Sequence, residues 1–347
     1  MERKNYLSYI RAVACFCIVI LHAYTMCGMV FKDTLTGNAR IIINMIPYLM
    51  MWAVPCFVMV TGALLLDEKK SVDYKKVFRR YIPRVLIALI ICCFLFRFLD
   101  FWMNKESFSI KLFVEPLYKF YTKTSWAHLW YLYLIVGLYL LMPAFSKIAK
   151  HSSDSEITVL IIIYVCFVSI IPIINKISGT EAAFYITTSS IFPAYLFIGH
   201  MIDSGRWKIP AFIYILMLLA GLAAIVVFSC ISIGNEPSTE IESITGLLGS
   251  YSFLPVVVFS TGVFGLFKSI DAKESIISKI LLTIDSCSFG IYLIHLVFLR
   301  YIYKCTGIKI TNGNAFILVL GIVVITFILS FLIVWALRKI KVVHKIL

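Results

Sequence analysis

The chain has 347 residues, 61% of them hydrophobic and only 14% charged, against roughly 25% charged in a soluble globular domain. Together with a mean hydropathy of +0.95, this excludes a soluble enzyme and reads as a polytopic membrane protein. The formal net charge of +14 follows from where the basic residues fall along the chain and calls for no nucleic-acid partner.

Ten apolar runs are long enough to be read as spans, at about 7–28, 41–66, 83–101, 129–146, 157–174, 188–203, 209–231, 248–267, 283–303 and 314–337. The expected fold is an all-α bundle of about ten transmembrane helices. If the N-terminus is cytoplasmic, the inside segments carry nineteen Lys and Arg and the outside segments nine. The positive-inside rule then places both termini in the cytoplasm. The first run lacks a cleavage site after it and reads as a retained span. No loop is long enough for a second core, so one domain over 1–347 is expected, with no separate soluble domain.

The first run contains RAVACFCIVILH, from Arg11 to His22. Eleven helical steps come to about 20° past three turns, so the two residues share a face, about 16 Å apart along the axis. Ionisable groups inside a span mark a functional site or a paired structural charge. The second run holds Pro47 and Pro55, which break or kink helices. The third opens with VFRRYIPRV, where Arg79, Arg80 and Arg84 cluster. They form either a topological signal or an anion site, since guanidinium forks suit phosphates. Further on, Arg97 and Asp100 stand three apart and are expected to pair with each other.

The segment 102–128 carries aromatic and basic residues and is expected to form a surface helix over the outer mouth of the bundle. The fourth run opens with WAHLWYLY, bringing Trp126, His128, Trp130 and Tyr131 to the outer side. They read either as an interfacial aromatic belt or as a platform for sugar rings. The loop 232–247 carries Glu236, Glu240 and Glu242 and no basic residue. The ninth run contains SFGIYLIHLVFLR, in which Ser288, Tyr292 and His295, spaced by four and three, share a helix face. Most of the ten cysteines lie inside apolar runs, and no C-x-x-C pair is present. They read as packing residues, and no metal site is expected. No P-loop, dinucleotide fingerprint, H-E-x-x-H or G-x-S-x-G occurs.

Five of these features occur in register. RAVACFCIVILH, VPCFVMVTGALLL (54–66, with Thr61 where serine is usual), FRRYIPR, HLWYLYLIVGLYLL and SFGIYLIH together resemble the acyltransferase-3 family of integral membrane acyltransferases. The resemblance implies transfer of an acyl group, usually acetyl, from cytoplasmic acyl-CoA to a hydroxyl reached from the outer side. The acceptor would be a cell-surface glycan or its lipid-linked precursor, and the location the bacterial cytoplasmic membrane. Acetyl-CoA would be a donor substrate, and no permanently bound cofactor is implied. On that basis His22 is expected to act as general base and Arg11 to orient the donor or neutralise developing charge. Arg79, Arg80 and Arg84 would hold CoA phosphates. His128, Trp130 and Tyr131 would face the acceptor, and Tyr292 and His295 would orient His22 or the acceptor. The competing class is a lipid-linked glycan flippase, a polymerase-like protein or a transporter, which would have similar spans and buried charges.

Overall fold

Some of the breaks and widenings of the apolar runs stand at prolines in the computed structural model, which describes residues 4–67, 69–70, 72–180, 190–234, 246–270 and 275–346. Residues 235–245 of the acidic loop lie outside the described residues. The first run is one helix, α1 (Asn5–Val30). The second divides into α2 (Gly37–Leu49) and α3 (Ala53–Leu65), because Pro55 has no N–H to give the carbonyl four residues back.

Next come α4 (Tyr74–Met103), α5 (Lys111–Thr122), α6 (Ala127–His151) and α7 (Asp154–Ser178). Two π-helical turns, Val77–Tyr81 and Cys166–Ile170, sit just before Pro83 and Pro172. Each contains the residue four before the proline, whose carbonyl loses its donor and meets the ring, so the helix widens there. The chain continues with α8 (Phe192–Ser204), α9 (Ala211–Gly234), α10 (Leu254–Ser269), α11 (Ile276–Cys305), α12 (Ala315–Leu337) and α13 (Lys341–Ile346).

The described residues are helical with no strand, as the composition requires. Among them, eight helices are long and apolar enough to cross a membrane. The runs expected at 188–203 and 248–267 form shorter helices instead, the 13-residue α8 and the 16-residue α10. Pro193 and Pro255 stand in their first turns, where a missing N–H costs nothing. Thirteen residues rise about 20 Å, short of the ~30 Å of a hydrocarbon core.

Short α8 earns its place by backbone contact. Gly62 of α3 lies against the Leu196 backbone, and Gly199 of α8 against the Met59 backbone, so a Cβ at either glycine would overlap main-chain atoms of the other helix. Small residues at such crossings let helices approach closely without relying on water-driven burial.

The centre of the bundle is the pair α1 and α11, which run parallel. Arg11 bonds Asp285, Cys15 Sγ lies 3.5 Å from the Ser288 carbonyl, and the Tyr303 hydroxyl donates to the Ala23 carbonyl at 3.0 Å. The start of α11 also meets the end of α12, since Arg338 donates to the Ser286 carbonyl. Arg84 Nε donates to the Ile346 carbonyl at 2.9 Å, tying α13 to α4. Lys4 Nζ bonds the buried Asp203 carboxylate at 2.6 Å. Both ends of the described chain therefore lie at one end of the bundle, called here the terminal end.

At the opposite end, the expected surface helix is present as α5. Its anchoring corrects one expectation, because Arg97 does not pair with Asp100. Arg97 bonds Glu106 and Glu115, each at 2.6 Å, while Asp100 bonds Arg300 at 2.9 Å and accepts from Trp126 Nε1 at 3.0 Å. One helical turn separates Arg97 from Asp100, but α5 and α11 offer each of them a partner in better geometry. The hydrogen bond from Arg97 holds the Glu106 carboxyl below the usual carboxylate range. Glu115 is held low chiefly by Lys119 and then by Arg97.

Candidate active site

α1 and α11 each carry a charged residue near the terminal end and a histidine further in. On α1 these are Arg11 and His22; on α11 they are Asp285 and His295. Because the helices run parallel, like depths meet. Arg11 Nε and Nη2 donate to the two Asp285 oxygens at 2.7 and 2.8 Å, a bidentate fork. The His22 and His295 rings lie 5.1 Å apart between centroids.

A cavity of about 390 Å³ opens between α1, α3, α4, α6, α11 and α12, within the size range of small-molecule sites. Arg11, Arg84, Asp285 and Arg338 line its charged part. Tyr131, Tyr139, Ser288 and Tyr292 line it with hydroxyls, and Thr61 joins them from α3. On α1 the lining ends at Ile18, one helical turn short of His22. Tyr131 and Tyr292 pack edge to face at 5.7 Å between the charged part and the histidines.

Beyond them is a cluster of three imidazoles. His128 is 6.3 Å from His22 and 5.5 Å from His295, ring to ring. His128 and His295 are fully buried, whereas His22 keeps partial exposure. Carbonyls can only accept, so they set the tautomers. His295 Nδ1–H donates to the Tyr292 carbonyl at 2.7 Å, and His128 Nε2–H to the Leu293 carbonyl at 3.2 Å. That leaves His295 Nε2 and His128 Nδ1 as acceptors, and neither has a hydrogen-bond partner among the described residues. The Tyr292 hydroxyl donates to the His128 carbonyl, which braces the 3-10 turn Ala127–Leu129 that presents His128.

Behind His128 the far end is closed by a stacked layer. Phe96 and Trp126 stack at 4.2 Å, and the Arg300 guanidinium lies over the Trp126 ring at 3.9 Å, a cation–π contact fixed by its ion pair with Asp100.

The structure thus brings together Arg11, His22, His128, Tyr131, Tyr292 and His295 around one cavity and the cluster behind it. Arg84 joins them at the cavity wall. Arg79 and Arg80 stand exposed on the π turn and do not line the cavity. Trp130 turns away from it, stacking on Tyr251 at 5.4 Å beside Phe192. Two further residues line the charged part, Asp285 and Arg338, and neither belongs to the motifs named above. Asp285 precedes Ser288, Tyr292 and His295 by three, seven and ten residues, so it extends the same polar stripe. Arg338 is indistinguishable in sequence from an ordinary flanking charge. All ten cysteines are unbridged. Among the described residues, no group of three or more His, Cys, Asp or Glu is placed to hold a metal ion.

A family model described as an acyltransferase domain, that of acyltransferase-3, matches residues 4–335. The chain belongs to this family. It is therefore a multi-pass membrane protein of an acyltransferase family. Among curated proteins, it is 22% identical over 331 residues to a Staphylococcus aureus (strain Mu50) protein described as a "probable poly-beta-1,6-N-acetyl-D-glucosamine export protein", covering 90% of this chain and 87% of the relative. The same description, identity and coverage hold for the proteins of S. aureus strains MSSA476 and MW2. No solved structure matches the chain.

Proposed function

We propose that this acyltransferase-3 protein moves an acyl group, acetyl in the simplest case, from cytoplasmic acyl-CoA to a hydroxyl of a cell-surface glycan or its lipid-linked precursor. The observation that carries this reading is the cavity itself. It begins among arginines near the terminal end and ends one helical turn from a partly exposed histidine backed by two buried ones. The excess of basic residues on the terminal-end side supports placing that end in the cytoplasm. With the short helices α8 and α10 counted as crossings, the chain passes the bacterial cytoplasmic membrane ten times.

In this reading the donor thioester reaches toward His22 with its polyanionic end among the arginines. The unprotonated ring nitrogen of His22 takes the proton of the acceptor hydroxyl as that oxygen attacks the thioester carbonyl. A tetrahedral oxyanion forms, the C–S bond breaks, the ester is complete, and the departing CoA sulfur takes up the proton. General-base help of this kind is worth about 10²–10⁴-fold. Arg11, held in orientation by Asp285, stabilises the donor side. His295, with Tyr292, holds the imidazole or the acceptor in place, and His128 and Tyr131 bound the acceptor side. Arg84 at the wall and Arg79 and Arg80 at the rim draw the polyanionic donor toward the mouth of the cavity by their charge.

The decisive test uses purified protein with radiolabelled acetyl-CoA. His22→Ala should lose transfer by at least 10²-fold and still bind CoA; retention of most activity would remove His22 from the chemistry. The description of the S. aureus relatives favours a second reading, movement of a glycan across the membrane without acyl transfer. Glycan translocation in proteoliposomes with no requirement for CoA would decide for it.

A further inference from the structure

A second concavity adjoins the active-site cavity. It is an open cleft of about 450 Å³ between the first half of α11, the end of α12 and α13. The two spaces share Ser286 and Arg338, so Arg338 stands on the wall between them. Thr283, Trp335, Lys339 and His344 complete the polar lining of the cleft. No acidic side chain lines it among the described residues, and Asp285, which lines the neighbouring cavity, is engaged by Arg11. Lys339 Nζ lies 3.8 Å from the centre of the Trp335 ring. That contact holds a flexible cation at the rim. Three basic side chains from two elements thus converge on a solvent-open hollow that leads to the catalytic cavity. Arg and Lys in this arrangement are complementary to phosphate oxygens.

A donor of the CoA type has its phosphates on a nucleotide at one end and its thioester at the end of a long, uncharged arm. A protein that binds it needs a polyanion site set apart from the reacting carbon and a neutral passage between. We propose that the cleft of Trp335, Arg338, Lys339 and His344 is the phosphate subsite that holds the nucleotide end of the donor. The arm then passes Arg338 and Ser286 into the cavity that ends near His22. This assignment rests on the acyltransferase reading above and adds to it where the nucleotide sits. It also explains why α13 is tied down by the Arg84–Ile346 hydrogen bond, which positions the helix that bears His344. The same phosphate chemistry is offered by an anionic lipid headgroup, and the experiment separates the two sources.

Full-length protein is placed in nanodiscs of zwitterionic lipid. CoA and pantetheine, which lacks the nucleotide and its phosphates, are titrated by calorimetry against the wild type, Lys339→Ala with His344→Ala, and Lys339→Arg. The double variant should weaken CoA binding about tenfold, less at high salt, with pantetheine affinity unchanged. Lys339→Arg should keep most of the CoA affinity. Lys339→Glu alone, at an exposed position, gives a second measure of the same contrast should the double variant prove unstable. A monodisperse variant that binds CoA as the wild type does overturns the assignment. Wild-type protein that binds no CoA removes the acyltransferase reading itself. In nanodiscs containing phosphatidylglycerol, loss of that lipid from the variant at unchanged CoA affinity would assign the cleft to a headgroup and overturn the proposal.

Discussion

Arg11 and Asp285, 274 residues apart in the chain, form a two-pronged ion pair at the start of the helices that carry His22 and His295. The Asp285 side chain is almost wholly buried and that of Arg11 is about one-third exposed. The pair does two things at once. It registers α1 against α11, which brings the two histidines to the same depth. It also holds a guanidinium at the cavity wall with its orientation fixed.

Replacing Asp285 with Asn keeps the shape and removes the charge. Turnover is expected to fall on the order of 10²-fold, the scale seen when a single preorganised electrostatic contact is lost. A cycle of Arg11→Gln, Asp285→Asn and the double variant, read by unfolding free energy, should show coupling of about 1–3 kcal/mol. Additive effects would mean that the two residues act independently.

Much of this site was legible before the fold was known, and what was not has physical reasons. Arg11 and His22 stand out because a bilayer makes polar side chains costly, and their shared face follows from helix geometry alone. The stripe of Ser288, Tyr292 and His295 was legible in the same way, and Asp285 one turn earlier belongs to it. Arg97 and Asp100 show the limit. Their spacing of three suggested a local pair, yet α5 and α11 supply partners that only the tertiary fold brings near. Arg338 and the cleft beside it depend on where α12 ends against α11, a matter of packing that periodicity does not encode. The shortness of α8 is already visible in the length of the run 188–203, but the reason a short helix suffices, its backbone contact with α3, lies in Gly62 and Gly199 together.

That contact leads to a stability prediction. Even a methyl group at Gly62 or Gly199 would overlap backbone of the facing helix, which cannot move aside as a side chain can. Gly62→Ala and Gly199→Ala should each cost about 1–3 kcal/mol or more and lower the melting temperature measured in detergent. Gly137→Ala, where nothing lies within 4 Å of the added Cβ, is the control and should leave it near that of the wild type. An unshifted melting temperature for both close-contact variants would mean the helices can separate at little cost.

The anchoring of α5 should depend on pH. Glu106 and Glu115 are both held below the usual carboxylate range, by Arg97 and by Lys119 with Arg97 respectively. A carboxylate whose pKa is lower in the folded state contributes stability above its unfolded pKa and loses that contribution as pH falls through the folded value. Amide exchange in 111–122, corrected for its intrinsic rate, should therefore be flat from neutral pH down to about 5 and accelerate below about 4. Arg97→Gln should raise exchange at neutral pH and flatten the profile. Protection that persists unchanged into acid would show that α5 is held by its apolar contacts alone.

His295 tests whether the imidazole cluster works as a unit. Its Nδ1–H is committed to the Tyr292 carbonyl, so its Nε2 can only accept, and the ring nearest to it is His22. An acceptor at that point can receive a hydrogen bond from one nitrogen of His22 and so leave the other as the base. His295→Ala should then lower kcat by about 10–10²-fold while KM for the acyl donor changes less than threefold. His295→Asn, whose side-chain oxygen can accept in place of Nε2, should recover part of the loss. A purely structural role for His295 predicts the reverse pattern: a lower melting temperature in both variants, with kcat per folded molecule restored when the assay is cooled. The two outcomes separate cleanly because the first changes the rate of folded protein and the second changes how much of the protein is folded.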